Sequence, residues 1–335
     1  MAKYSLVAVE NAEEWDRFVD QSPQGTVFSY SEYLENTCYK NIRHYVYQGS
    51  EIKAGLVLNL SDDESCCVLD DLVIYNGIIF RDDKTAKPVK ARSERFEITE
   101  FIIDELSKKY SSIKMALAPQ FEDVRPFLWH NYHSENSNKK FSLDIRYTSY
   151  LAIRELASQL DEMNTELFRN LETIRQRNIR EARKSGAILT KESDAQLFIS
   201  FYTALMKEQG ETVPLEKLRR MENLIDVLIK NDQGAMYCAQ TSEGKPGYIT
   251  IFCKDRRRAY YLFGAGNPEI KERYLGTIAF WDAFKDLANT HGINEVDLEG
   301  VNSPQRGWFK LSFGGDLKCY YQLNLFQTKA RLSRQ

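Results

Sequence analysis

Apolar positions along the chain alternate between helical and strand spacing, with turn residues between the blocks. In the first half the pattern predicts a helix over Ala12 to Asp20, with Trp15, Phe18 and Val19 on one face. The turn Ser22-Pro23-Gln24-Gly25 follows, then a short helix over Ser31 to Thr37. Strands are predicted at Arg43 to Gln48, at Lys53 to Leu60 and at Cys66 to Tyr75. A helix over Phe96 to Tyr110, a strand at Ile113 to Leu117 and a short helix or turn from Arg125 to Tyr132 complete this half. The polar stretch Asn131 to Lys140 reads as an exposed loop, and Phe141 to Ile153 as two short extended pieces leading into a second unit.

The second half opens with one long helix predicted from Asn164 to Ser185 and stopped by Gly186. Two more helices are predicted, over Asp194 to Gln209 and from Pro214 to Lys230. Strands follow at Ala235 to Gln240, Tyr248 to Lys254 and Arg258 to Phe263, then a helix from Tyr274 to His291 and a strand at Glu295 to Leu298. A loop through Pro304 and Gly307 leads to a last strand near Leu317 to Leu325. Strands and helices that alternate in this way imply an α/β (α+β) layered fold. At 335 residues the chain suits two domains, with the boundary placed at residue 150.

Composition narrows the class without changing this picture. With 43% hydrophobic and 28% charged residues, the chain is globular rather than disordered. A net charge of −3 supplies no global field for DNA or an anionic membrane, so such binding would need a local patch. The N-terminus lacks a basic segment followed by an apolar run, and no apolar stretch approaches the ~20 residues that cross a bilayer. The six cysteines Cys38, Cys66, Cys67, Cys238, Cys253 and Cys319 form no C-x-x-C pair, as expected of reduced thiols in a cytoplasmic protein.

One helix concentrates positive charge. Projected at 100° per residue, Glu166 to Ser185 places Leu167, Phe168, Leu171, Ile174, Ile179 and Ala182 on one arc. Arg169, Arg177, Arg180, Arg183 and Lys184 fall on the opposite arc. The plain reading is a solvated outer face partly balanced by Glu172 and Glu181. The functional reading is a phosphate-binding stripe for a nucleotide-sugar, a coenzyme A or a tRNA backbone.

The second focus is Asp297 to Gly315, DLEGVNSPQRGWFKLSFGG. Glu299 stands at the carboxyl end of a predicted strand, where α/β sheets tend to bind ligands. Lys310, flanked by aromatic residues and followed by Gly314-Gly315, is placed to hold an ammonium in a partly desolvated pocket. There it would stabilise charge that develops in acyl transfer, or a substrate phosphate; the alternative is a surface lysine beside a hairpin.

Taken together, these segments resemble the FemAB family of non-ribosomal peptidyl-transferases and its acetyltransferase-like (GNAT) relatives. The resemblance rests on Asn178 to Gly186, Ala259 to Ala265, Asp297 to Gly300 and Phe309 to Gly315, in that order. The opening Trp15 to Val19 with Ser22 to Phe28 also matches. It implies two GNAT-like domains, each a mixed twisted sheet flanked by helices: 1–150, with 317–335 as the segment that would complete it, and 151–316. It also implies an N-acyltransferase that passes an aminoacyl or acyl group to an amine on a cell-wall or sugar-linked precursor. Phe309 and Lys310 inherit the catalytic centre, and Glu299 is the candidate base. Tyr260 or Tyr261 and an arginine from among Arg180, Arg183, Arg219 and Arg220 inherit substrate binding. The donor would be aminoacyl-tRNA or acyl-CoA, with no tightly bound cofactor, no metal, no DNA partner and at most peripheral membrane association. Two readings compete with it: an acyl-CoA-dependent N-acetyltransferase for an amino-sugar, and a non-catalytic nucleotide- or RNA-binding module.

Two features depart from the peptidoglycan-acting members. The early aromatic motif reads Phe28-Ser29-Tyr30-Ser31-Glu32-Tyr33, without their tryptophan and nearby lysine. The long helical arm is replaced by the turn Asn231 to Gly234. Both count against a muropeptide as the specific acceptor. Arg273 to Thr277 carries one glycine where acetyl-CoA enzymes carry several, which counts against a coenzyme A donor. His130 and His133 lack a Cys or carboxylate at ligand spacing and read as structural.

Overall fold

The computed structural model describes residues 3–37, 40–157 and 161–326; Cys38 and the segment 327–335 lie outside the described residues. The chain forms two compact units, Met1–Arg146 with Cys319–Gln335 and Tyr147–Lys318.

In the first unit the elements are β1 (Ser5–Ala8), α1 (Ala12–Gln21), α2 (Ser31–Thr37), β2 (Asn41–Gln48), β3 (Glu51–Leu60), β4 (Cys66–Val68), β5 (Gly77–Phe80), α3 (Pro88–Lys109), β6 (Ser112–Leu117) and α4 (Arg125–Trp129). Strand β7 (Ser142–Ala152) begins in this unit. The sheet runs β1-β2-β3-β4-β6 and takes in the end of the last strand of the chain, where Tyr321 to Phe326 pair antiparallel with β6. β5 pairs with β3 over Ala54 to Val57, while β4 takes Asn59 and Leu60 of the same strand. Helix α3 adds Ile98, Ile102, Ile103 and Leu106 to a core shared with Leu56, Leu58, Met115, Leu323 and Leu325. Trp15 on α1 is fully buried, and its indole N–H donates to the Ser29 carbonyl at 2.7 Å, which ties α1 to the turn before α2.

The second unit contains α5 (Glu166–Asn170), α6 (Thr173–Lys184), β8 (Ile188–Glu192), α7 (Ala195–Glu208), α8 (Leu215–Lys230), β9 (Gly234–Gln240), β10 (Pro246–Lys254), β11 (Ala259–Gly266), α9 (Tyr274–Thr290), β12 (Glu295–Asp297) and α10 (Pro304–Leu311). The chain then enters β13 (Asp316–Phe326). The sheet order is β7-β12-β11-β10-β9-β8. Only the β11–β12 pair is parallel; the other neighbours are antiparallel. Helix α9 is apolar except for a stripe of Asp282, Lys285, Asp286 and Asn289, and its wide apolar face forms the middle of this unit's core. Its Phe280 packs against Tyr261, Phe252, Phe284, Phe309 and Phe313 with ring centroids 4.7 to 6.0 Å apart.

Several boundaries differ from expectation for local reasons. The long helix from Asn164 breaks at Leu171-Glu172, where the Glu172 N–H donates to the Ser312 carbonyl at 3.0 Å instead of continuing the helix. Ile174, placed on the apolar arc, is 40% exposed because the break shifts it out of the packed face. The predicted strand Cys66 to Tyr75 ends at Val68, since Asp70 turns the chain through a carboxylate bond to the Leu72 N–H, and a separate strand, β5, follows. The segment through Pro304 and Gly307 is helix α10, not a loop: Pro304 stands in the first turn, where its missing N–H costs nothing. Helix α6 ends where expected, with Gly186 left-handed at φ +70°.

A charge network ties α6 to α9 and to the segment before α5. Arg183 binds Glu162 through Nε at 2.8 Å and Asp282 through Nη1 at 2.7 Å; Lys285 binds Glu162 at 2.6 Å. Burial acting alone would raise the Glu162 carboxyl, but the bonds from Arg183 and Lys285 outweigh it and hold it near about 2. A carboxyl lowered in the folded state adds stability above its ordinary value of 4.5, and that stability is lost as pH falls toward about 2. In acid titrations followed by circular dichroism, Glu162→Gln should therefore show a flatter loss of stability across this window than the wild type. Phe280→Ala should lower the stability of the second unit by roughly 3–5 kcal/mol in urea unfolding, because it empties the centre of a six-ring cluster.

Candidate functional site

β11 and β12 lie side by side over two pairs only, Ala259 with Val296 and Tyr260 with Asp297. β12 then ends, while β11 continues to Gly266. The residues just past the end of this ladder are Tyr261 on one side and Leu298-Glu299-Gly300 on the other. Lys310 spans them. Its ammonium donates to the Glu299 carbonyl at 3.0 Å and the Gly300 carbonyl at 3.5 Å, and it stands 4.8 Å over the Tyr261 ring. Helix α10 sets this direction. Successive side chains diverge by about 100°, so Trp308 points to solvent, Phe309 packs on Phe280 and Lys310 turns inward.

Glu299 is held in a conformation that few non-glycine residues adopt, with φ +50°. Its N–H donates to Asp297 Oδ1 at 2.8 Å, and Asp297 also accepts from the Thr148 hydroxyl. The side chain is 5% exposed and its Oε1 has no hydrogen-bond partner among the described residues. Burial raises the Glu299 carboxyl well above the carboxylate range, and Asp297 adds to the rise against the opposing charge of Lys310. Burial likewise lowers the Lys310 amine to about 8, with Glu299 and Asp297 opposing and Arg306 assisting.

The remaining expected residues are distributed by their own packing. Tyr260 and Tyr261 point to opposite faces of β11, as neighbours on a strand must. Only Tyr261 meets Lys310; the Tyr260 hydroxyl donates to Asp255 at 2.6 Å. The hydroxyls of Tyr261 and Tyr248 converge over Gly264, where a Cβ would lie 2.3 Å and 3.0 Å from them, so a larger residue at this strand position would have to displace the Tyr261 ring. Arg183 is taken up by Glu162 and Asp282, and Arg180 lies over the Phe168 ring on the outside of α6. Arg219 and Arg220 ride on α8, which packs against α7 and β9.

Sequence reasoning missed Arg175. Its guanidinium lies 4.5 Å over Phe309 and donates to the Ser312 hydroxyl at 2.8 Å and the Thr277 hydroxyl at 2.7 Å. No carboxylate pairs with it among the described residues, and burial lowers its pKa. The signal was present: Arg175 stands four and seven residues before Ile179 and Ala182, so it lies on the apolar arc of α6. An unpaired cation on a buried face, next to the Phe309-Lys310 pair, can take an anionic group of a ligand.

Residues 169–306 match the family described as Acetyltransferase (GNAT) domain. No curated protein matches the chain. Among solved structures, FemX superposes with a TM-score of 0.63 at 14% identity, covering 95% of this chain and 96% of its own. A tandem GNAT protein from the clavulanic acid biosynthesis pathway gives 0.54 at 10% identity, covering 96% and 97%. The C-terminal domain of a putative lysylphosphatidylglycerol synthetase from Agrobacterium fabrum gives 0.53 at 8% identity, covering 94% and 93%. At these identities the structural similarity establishes the fold, and the matched domain assigns its type. The chain thus carries an acetyltransferase (GNAT) domain match over residues 169–306 and shares its overall fold with FemX and with the tandem GNAT protein.

Proposed function

We propose that this protein is a cytoplasmic N-acyltransferase that moves an aminoacyl or acyl group to an amine on a cell-wall or sugar-linked precursor. The observation that carries the reading is the buried ammonium of Lys310, fixed by two main-chain carbonyls where β11 and β12 part. In the step envisaged, the acceptor amine attacks the carbonyl carbon of an ester or thioester. The carbonyl π electrons move to oxygen, and Lys310 faces the oxyanion so formed. Collapse restores the carbonyl and breaks the bond to the leaving oxygen or sulfur, which takes up a proton. Glu299, a buried carboxyl with a raised proton affinity and a free Oε1, accepts the proton of the attacking amine. Arg175 suits a phosphate of the donor or of the acceptor. Both donor classes considered, aminoacyl-tRNA and acyl-CoA, carry phosphates. The match to an acetyltransferase domain favours a second reading of the same site, an acyl-CoA-dependent N-acetyltransferase acting on an amino-sugar.

A thermal-shift panel of acetyl-CoA, longer acyl-CoAs, aminoacyl-tRNA and UDP-sugars tests donor and acceptor, since a ligand that binds the folded state raises the melting point. Lys310→Ala is expected to keep that shift and to lose transfer by about 10²–10³-fold; unchanged turnover would remove Lys310 from the chemistry. Salt-sensitive RNA binding with no turnover of any donor would point instead to a non-catalytic module. The Lys310 amine, lowered to about 8 in the folded state, is charged more readily in the unfolded chain, where its ordinary value is 10.5. The unfolded chain therefore binds the additional proton between these values, so this residue makes folding stability rise with pH across that interval. Lys310→Met should remove that contribution to the slope in pH-dependent urea melts, and transfer by the wild type should fall above pH about 8 as the ammonium is lost.

A further inference from the structure

Three of the four tryptophans are accounted for by packing. Trp15 and Trp281 are fully buried, and Trp129 meets Phe96 edge-on at 5.3 Å with the Arg125 guanidinium 5.5 Å over its ring. Trp308 is different: it is 73% exposed and meets no other ring and no cation among the described residues. Its neighbours on α10 turn inward, Phe309 onto Phe280 and Lys310 into the site. An indole left in water beside them contributes little to the fold.

Helical spacing determines what lies next to it. Ser312 stands four residues after Trp308, one turn along the same face of α10, and its N–H donates to the Trp308 carbonyl at 3.0 Å. Ser312 is also one of the groups that hold Arg175, which donates from Nε to this hydroxyl at 2.8 Å and from Nη1 to the Thr277 hydroxyl at 2.7 Å. Asn178 donates to the same Thr277 oxygen at 3.1 Å, and the Ser312 hydroxyl donates to the Phe309 carbonyl at 2.6 Å. All these partners are neutral, so Arg175 is aimed without losing its charge, and burial is the one influence on its pKa. Its Nη2 has no hydrogen-bond partner among the described residues. The exposed indole and the open edge of the guanidinium therefore adjoin the same turn of α10. A planar ring stacks on an indole, and an oxyanion pairs with a guanidinium. A purine nucleoside phosphate carries both groups a few bonds apart. Both donor classes named for this site contain one: aminoacyl-tRNA in its 3′-terminal adenosine, and acyl-CoA in its adenosine phosphate.

We propose that Trp308 is a donor-specificity residue: its indole stacks on the adenine of the donor, while Arg175, aimed by Ser312, Thr277 and Asn178, takes a phosphate of the same nucleotide. This rests on the reading of the Lys310 site as an acyl-transfer centre. Calorimetric titration of the full chain with two pairs of probes tests it. Coenzyme A is compared with 4′-phosphopantetheine, which lacks the adenosine, and an acceptor-stem RNA minihelix ending in CCA with one ending in CC. One pair is expected to favour its adenosine-bearing member, and which pair does so identifies the donor. Trp308→Ala should weaken that member by roughly fivefold to a hundredfold and leave its shorter counterpart unchanged. Trp308→Phe, which keeps a flat ring, should recover part of the loss, and Arg175→Ala should also weaken the adenosine-bearing member. Because the indole is exposed, Trp308→Ala should keep the wild-type melting temperature. No binding of any probe at millimolar concentration, no preference within either pair, or a preference that survives Trp308→Ala would overturn the proposal. Transfer with an unchanged donor KM in Trp308→Ala would remove the inference and keep the functional reading. An adenosine preference abolished by Trp308→Ala, with no transfer to any amine, would keep Trp308 as the base platform and remove acyl transfer.

Discussion

Lys310 is 9% exposed, and a cation so far from water must have acceptors placed for it. The surrounding structure meets that demand with main chain rather than with a neutralising carboxylate. The left-handed Glu299 and its successor turn their carbonyls toward the ammonium, and the Tyr261 ring covers it. The strain at Glu299 is offset by Asp297, which accepts the Glu299 N–H. Those bonds fix the end of β12. A β12 that ran further would pair with β11 and remove the space that Lys310 fills.

The same demand explains the aromatic density behind the site. Phe280 at the centre of α9 receives Tyr261, Phe309 and Phe313 at ring distances of 4.7 to 5.5 Å, so the elements that carry Lys310 and Tyr261 are packed on one helix. The Arg183–Glu162–Lys285 network then ties α6 to α9, which leaves Arg175 at the mouth of the same group of residues. Low dielectric strengthens the field of Lys310 and raises the cost of leaving it unpaired. A site of this kind gains electrostatic effect by spending stability, and the core of the second unit supplies that stability.

Much of the fold was legible because periodicity survives in the sequence wherever an element has one buried face. Helix α2, over Ser31–Thr37, and helix α9, over Tyr274–Thr290, lie where the pattern put them, and β3 and β10 differ by two residues at their starts. Three short elements, β1, β5 and α10, were not legible. The four residues of β1 and of β5 are too few to establish a period, and α10 spans only eight residues that include Pro304 and Gly307. Helix α10 is stabilised by Phe309 and Lys310 packing into the core more than by its own propensity. No local rule finds such a helix.

For the site, the sequence by itself determined the order of the chemistry-bearing segments: an arginine-rich helix, a paired-tyrosine strand, a strand ending in Glu299, then Phe309-Lys310. It also determined that Tyr260 and Tyr261 face opposite sides of their strand, since that follows from period alone. Only the tertiary structure decided which tyrosine meets Lys310, and which arginine lies against Phe309 without a carboxylate partner among the described residues. Arg183 meets Asp282 and Arg175 meets Ser312 across 99 and 137 residues of chain. The choice between them depends on how α6, α9 and α10 pack, a property of three segments at once that no single segment encodes.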